Sequence, residues 1–168
     1  MIEISELNDE DFFMLQELLD KNKGMSDSEY QKLSKNHPYV ITPDNNPTLI
    51  LSSMKHYGLH DERLNSFLIS KFGIPEYELD FLYELIYNEG DYTKPHRDRV
   101  MAIQTTLVLL NDDFSGGELL IDETDVKFNK KKSYINFNGH LYKHSVNKVL
   151  SGKRIVLAIM FNKKQTLL

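Results

Sequence analysis

An imidazole and a carboxylate stand two residues apart in Pro95-His96-Arg97-Asp98, a further histidine follows at His144, and Arg154 lies ten residues beyond it. In an extended segment, residues i and i+2 project to one face, so His96 and Asp98 point together and Arg97 points away. With His144 as the third ligand, two neutral imidazoles and one carboxylate would hold a divalent metal and leave three coordination positions open. That donor set suits non-haem Fe(II). A lone His-x-Asp is common by chance; its combination with His144 and Arg154 separates it from an ordinary surface pair. Two competing readings exist. His140 and His144, four apart, would be a zinc pair if they lay on a helix, although the Asn138-Gly139 turn signal and the strand pattern around it oppose a helix. Arg154 could pair with Glu84 or Asp80 in a structural ion pair.

Composition narrows the classes without choosing one. A chain of 168 residues, 40% apolar, with nine phenylalanines and nine tyrosines, is long enough for one domain with an ordinary core. A net charge of -5 disfavours a nucleic-acid binder that works by neutralising many phosphates. The lack of cysteine excludes disulfides and thiolate zinc sites and fits a reducing compartment. The acidic first residues lack a basic leader and a spanning apolar run, so a cytoplasmic protein with no membrane partner is the expectation. Oligomeric state is not legible.

The elements that must position these residues fall into two parts. Asn8 caps a first helix with Asp9, Glu10 and Asp11 in its first turn, Leu7 set to staple onto Phe12, and Phe12, Leu15, Leu18 and Leu19 as its buried stripe. Gly24 is placed to end it. Residues 26–34 read as a short helix, 36–47 as loop and 48–52 as a strand. Asp61 caps a second helix carrying Leu64, Phe67, Leu68 and Phe72, closed by Gly73 and Pro75. From residue 77 the period becomes two, with Tyr77, Leu79, Phe81, Tyr83, Leu85 and Tyr87 on one face. Further strands are expected at 92–98, 101–110 (Thr105, Leu107 and Leu109 on one face), 118–121, 125–128, 133–137 and 154–161. The expectation is therefore one domain over 1–168, mainly helical over 1–76 with a catalytic core over 77–164. Its class is α+β, with a sandwich or jelly-roll barrel.

Taken in order, Tyr87, Tyr92, Pro95-His96-Arg97-Asp98, Leu110-Asn111, Gly116-Gly117-Glu118-Leu119, His144-Ser145-Val146 and Gly152-Lys153-Arg154 resemble the 2-oxoglutarate- and Fe(II)-dependent dioxygenases, in particular the prolyl 4-hydroxylase-like group. The likeness spans residues 81–161. It implies a double-stranded β-helix with helices supporting one sheet, and His96, Asp98 and His144 as iron ligands and catalytic residues. It also implies 2-oxoglutarate and dioxygen as cosubstrates, with ascorbate as an accessory reductant. Arg154 would bind the far carboxylate of 2-oxoglutarate as a fork, Tyr87 and Thr105 would add contacts, and Leu119 and Ala158 would wall the pocket. Asp98 favours hydroxylation over halogenation. Leu109 and Met160 depart from the group, whose members often carry a tyrosine and an aromatic residue at those two places.

The resemblance favours a peptidyl proline or another protein side chain as substrate, with a free amino acid or small molecule second and a nucleobase third. A non-catalytic metal- or 2-oxoglutarate-binding protein, or a cupin-like jelly roll, is the alternative on the same fold.

Overall fold

Alternation of apolar residues along the longest strands sorts their side chains between two cores, and the rest of the fold closes around both. The computed structural model describes residues 2–26, 29, 40–41, 50–51, 53–98 and 102–165. The chain runs β1 (Ile4–Glu6), α1 (Asp9–Lys21), β2 (Met25–Ser26), β3 (Val40–Ile41), β4 (Ile50–Leu51), β5 (Ser53–His56) and α2 (Glu62–Phe72). It continues through β6 (Tyr77–Tyr87), β7 (Tyr92–Asp98), β8 (Gln104–Leu109), β9 (Phe114–Gly116), β10 (Leu119–Ile121) and β11 (Thr124–Asp125). The last strands are β12 (Ser133–Phe137), β13 (His144–Val146), β14 (Val149–Gly152) and β15 (Arg154–Lys163).

Among the described residues, a seven-stranded sheet has the order β1-β12-β8-β15-β6-β5-β2, and a second runs β11-β10-β13-β7-β3 with β4 also on β7. A two-stranded ribbon, β14-β9, lies beside them. The pairing is antiparallel throughout, with Val156 opposite both Leu85 and Leu109 at the centre of the larger sheet. Leu85, Leu107 and Val156 from the larger sheet meet Leu119, Ile121 and Val146 from the smaller in one core. On the other face of the larger sheet, Leu82, Val108, Leu157 and Ile159 pack against Leu15 and Leu18 of α1 and Leu64 and Leu68 of α2. The molecule is thus a double-stranded β-helix with N-terminal helices on one sheet, the α+β jelly roll expected from the order of elements.

Both helix starts follow the sequence signals. Asn8 accepts from the Asp11 backbone N–H and Asp61 from those of Arg63 and Leu64, satisfying donors that a helix leaves open at its first turn. Leu7 and Phe12 are buried in the same cluster, as a staple requires. The end of α1 differs from expectation. Its C-cap is Asn22 rather than Gly24, because the Asn22 N–H reaches the Leu18 and Leu19 carbonyls while its side chain donates to the Gly58 carbonyl.

Other departures have local causes. Tyr77 and Leu79 were expected on the face of Tyr83 and Tyr87, yet they pack on the helix side. Met160 pairs with Phe81 but the next residue, Phe161, pairs with Leu79. One extra residue in β6, Asp80, makes a bulge there, and a slip of one residue exchanges the faces. The strand expected at 125–128 stops at Asp125, since Lys127 has φ 60°, a left-handed backbone that ends an extended run. The strand expected at 101–110 is observed from Gln104 to Leu109, and Met101 lies outside the described residues. The N-terminal part supplies strands β1 to β5 as well as the two helices, β3 falling inside the expected loop. The expected helix at 26–34 and the rest of the 36–47 loop lie largely outside the described residues, as do 48, 49 and 52 of the expected 48–52 strand.

Leu157 is fully buried between the larger sheet and the helices. Leu157→Ala is expected to lower unfolding stability by about 2–5 kcal/mol, the range for a leucine truncated in a close-packed core. Urea unfolding of both proteins checks it.

Candidate metal centre

Strands β7 and β13 bring the candidate ligands together by register alone. His144 lies directly opposite His96, with ring centroids 4.2 Å apart, and Asp98 follows His96 on the same face by the two-residue period of β7. All three are buried, at 6%, 2% and 8% exposure for His96, Asp98 and His144. Asp98 Oδ1 is 3.7 Å from His96 Nε2 and 3.4 Å from His144 Nε2, and one ligand atom from each residue lies within 4.8 Å of the others. Two donors that share a metal at ~2.1 Å each stand no more than about 4 Å apart, so the two pairs that include Asp98 fit a common ion.

The far nitrogens of both rings are committed to the backbone. His96 Nδ1 is 2.8 Å from the Lys94 carbonyl and His144 Nδ1 is 3.0 Å from the Tyr142 carbonyl. A carbonyl only accepts, so each Nδ1 carries a proton and each Nε2 faces Asp98; in the neutral ring that Nε2 bears the lone pair that a metal needs. Burial holds the His96 pKa down to about 4, aided by His144 and opposed by Asp98. For His144 burial also acts downward, but the Asp98 carboxylate and the Tyr142 carbonyl outweigh it and raise the pKa above its usual value. Burial pushes the Asp98 carboxyl up; the two imidazoles and the Thr105 hydroxyl overcome this and hold it below the ordinary range. The acid is therefore ionised at neutral pH.

Asp98 is held from several sides. Its N–H donates to the Gly139 carbonyl at 2.8 Å, and Thr105 Oγ1 donates to Oδ2 at 2.5 Å. His140 Nδ1 lies 3.2 Å from the Asp98 carbonyl, which makes His140 a loop residue beside the centre rather than half of a helical zinc pair. A Cβ at Gly139 would come within 1.8 Å of Oδ2, so no side chain fits there.

Arg154 opens β15 opposite Tyr87 and is fully buried. None of its three guanidinium nitrogens has a hydrogen-bond partner among the described residues. Its Cζ sits 5.2 Å from the centre of the Tyr87 ring, a cation–π distance, and the Tyr87 hydroxyl is 2.7 Å from that of Thr93. Gly117, at φ +66°, leaves room for the Arg154 stem, which an added Cβ would approach to 2.9 Å. The ion-pair reading of Arg154 is not what is found, and Glu84 instead accepts from the Tyr57 hydroxyl at 2.5 Å. Burial of the cation lowers the Arg154 pKa and burial raises that of Tyr87. A desolvated, unpaired guanidinium is costly, and an anion is its natural complement.

One cavity joins Arg154 to His96, Asp98 and His144. Leu119 and Ala158 line it, as do Thr105 and Tyr87. The structure thus gathers every residue that the sequence singled out for metal or cosubstrate. Thr105 directs its hydroxyl proton to Asp98, and a hydroxyl has one proton to give. Sequence reasoning missed Thr93 and the steric role of Gly139; an Asn-Gly pair signals a turn but not what lies beneath it. Asn136 accepts from Thr106 on the helix-facing side of β8. Arg97 is exposed and donates to the Leu141 carbonyl, and His60 is exposed. His56 is buried near the Tyr83 ring, while His37 and Arg99 lie outside the described residues.

No family model matches the sequence, and no curated protein matches it. Solved structures do match. A prolyl-4-hydroxylase from Pseudomonas putida aligns over 98% of this chain and 93% of its own, with TM-score 0.62 and 13% identity. A viral collagen prolyl hydroxylase from Paramecium bursaria Chlorella virus-1, in complex with 2-oxoglutarate, aligns over 97% and 96% with TM-score 0.60 and 19% identity. A prolyl hydroxylase from Trichoplax adhaerens, bound to a hypoxia inducible factor peptide fragment, covers 96% and 83% with TM-score 0.58 and 15% identity. The chain shares the fold of these oxygenases over nearly its whole length. No helix among the described residues is long and apolar enough to cross a membrane.

Metal binding at this centre should release a proton from His144. Between the His96 pKa of about 4 and the raised pKa of His144, affinity for Mn(II) or Co(II) is expected to climb about tenfold per pH unit and to level off above the upper limit. Calorimetric titration in buffers of different ionisation enthalpy measures the proton count. In the same titration Gly139→Ala is expected to weaken metal binding at every pH, because the new Cβ displaces the Asp98 carboxylate.

Proposed function

We propose that this chain, as one domain over 1–168, is an Fe(II)- and 2-oxoglutarate-dependent oxygenase that hydroxylates a peptidyl proline or another protein side chain. The observation that carries the reading is the unpartnered, fully buried Arg154 guanidinium in the same cavity as the two imidazoles and the carboxylate. His96, Asp98 and His144 hold the metal. Arg154 receives the far carboxylate of 2-oxoglutarate, whose charge offsets the buried cation, and the Tyr87 ring beneath the guanidinium limits its swing. Leu119, Val156 and Ala158 exclude water from the space between. Bound Fe(II) supplies the coupling of 2-oxoglutarate decarboxylation, to succinate and carbon dioxide, with the insertion of one dioxygen atom into a C–H bond. Support for a peptide substrate comes from the fold shared with prolyl hydroxylases, one of them bound to a peptide. A chain without cysteine and a ferrous cofactor both fit the reducing cytoplasm.

Purified protein given Fe(II), 2-oxoglutarate and air, with and without ascorbate, is expected to release succinate, and release should rise with a proline-containing peptide more than with free amino acids. Arg154→Met is expected to raise the KM for 2-oxoglutarate roughly 100-fold, the effect of losing about 3 kcal/mol of charge-assisted hydrogen bonding. Succinate release equal in the two proteins would count against the assignment of Arg154. No release under any condition would favour a binding protein on the same fold.

A further inference from the structure

The two oxygens of Asp98 are in different surroundings. Oδ1 faces both imidazoles, 3.7 and 3.4 Å from their Nε2 atoms. Oδ2 is 2.5 Å from Thr105 Oγ1 and lies against the backbone of Gly139, where even one added carbon would overlap it at 1.8 Å. Thr105 is itself fixed, being 2% exposed in the middle of the larger sheet and paired with Met160 and Phe137 on its two neighbouring strands. Its hydroxyl must donate here, because an ionised carboxylate only accepts.

We infer that Thr105 is a positioning residue that holds Asp98 as a one-oxygen ligand, so that three metal positions rather than two remain open. The inference rests on the metal-holding reading above and adds a constraint to it. A carboxylate binds a metal through one oxygen or through both. If Asp98 turned both oxygens to the metal, it would take a position that a two-point cosubstrate and dioxygen together require. Rotation about the Cβ–Cγ bond would break the Thr105 hydrogen bond and take Oδ2 out of the space that Gly139 leaves for it. The threonine hydroxyl thus holds Oδ2 out of the two-oxygen mode, and the absent side chain at 139 leaves the space in which that oxygen sits. Sequence reasoning put Thr105 against the cosubstrate; the geometry gives its proton to the ligand instead.

The test is Co(II) titration of the metal-free protein, followed by visible absorption, for the wild type, Thr105→Val, Thr105→Ala and Thr105→Ser. Valine removes the hydroxyl at nearly constant shape, alanine removes it without pressing a methyl on the carboxylate, and serine keeps it. Val and Ala variants are expected to bind Co(II) about 10–100-fold more weakly, the usual consequence of deleting a hydrogen bond to a metal ligand. Their absorption bands should also shift as the coordination changes, and fewer should respond to added 2-oxoglutarate. Serine should restore affinity and spectrum together. Val and Ala variants with wild-type affinity and spectrum would overturn the inference while leaving the metal site standing. A folded serine variant that behaves like valine would also overturn it, because packing of the methyl would then be the cause. A wild type that takes up no Co(II) would overturn the metal-holding reading, and this inference with it.

Discussion

A guanidinium buried without a partner is the constraint around which this structure is organised. Arg154 has no accessible surface and, among the described residues, no hydrogen bond from any of its nitrogens. A carboxylate lines the same cavity, yet Asp98 is already engaged by Thr105 and faces the two imidazoles. Opposite charges have been kept apart within one fold at a cost in stability, since pairing them would lower the energy of each. A ligand that brought its own anion to the arginine, and a cation that joined the carboxylate and imidazoles, would complete such an arrangement. A dicarboxylate that chelates a divalent metal would satisfy both demands with one molecule.

The fold provides for this separation through strand register. β15 carries Arg154, Val156, Ala158 and Met160 along the cavity wall, and its alternate residues anchor the sheet to the helices. The metal side is built on the smaller sheet, where pairing of β7 with β13 sets His96 against His144. Thr105 links the halves, standing on the larger sheet and bonding Asp98 of the smaller. The bulge at Asp80 confines the cavity to the upper part of β6, because below it the apolar face turns to the helices. Stability and chemistry are thereby drawn from opposite faces of the same strands.

Much of this was legible in the residues. The period of two across 77–87 and 154–161 announced central strands, and the capping residues Asn8 and Asp61 fixed both helix starts. The His-x-Asp step on an extended segment foretold which two side chains would share a face. What stayed hidden depends on contacts between distant segments. Gly139 reads as a turn residue, while its contact with Asp98 exists only once β12 and β7 come together. Thr105 was placed on the correct face, but its partner there could not be read from period alone. A bulge leaves the alternation of β6 intact in sequence, so the change of face at Asp80 has no signal. Val40–Ile41, too short for a period and inside an expected loop, pairs with β7, as does Ile50–Leu51 within the strand expected at 48–52.

The central claim is that a single ligand bridges the metal triad and Arg154. The most direct measurement is the anaerobic visible spectrum of the protein with Fe(II) and 2-oxoglutarate, beside Asp98→Ala and Arg154→Ala, since it needs no knowledge of the final substrate. The account predicts a weak metal-to-ligand charge-transfer band in the wild type, absent in Asp98→Ala and recovered in Arg154→Ala only at much higher 2-oxoglutarate. A folded wild-type protein that gives no band at saturating iron and 2-oxoglutarate, or an Arg154→Ala spectrum that saturates as the wild type does, would contradict it.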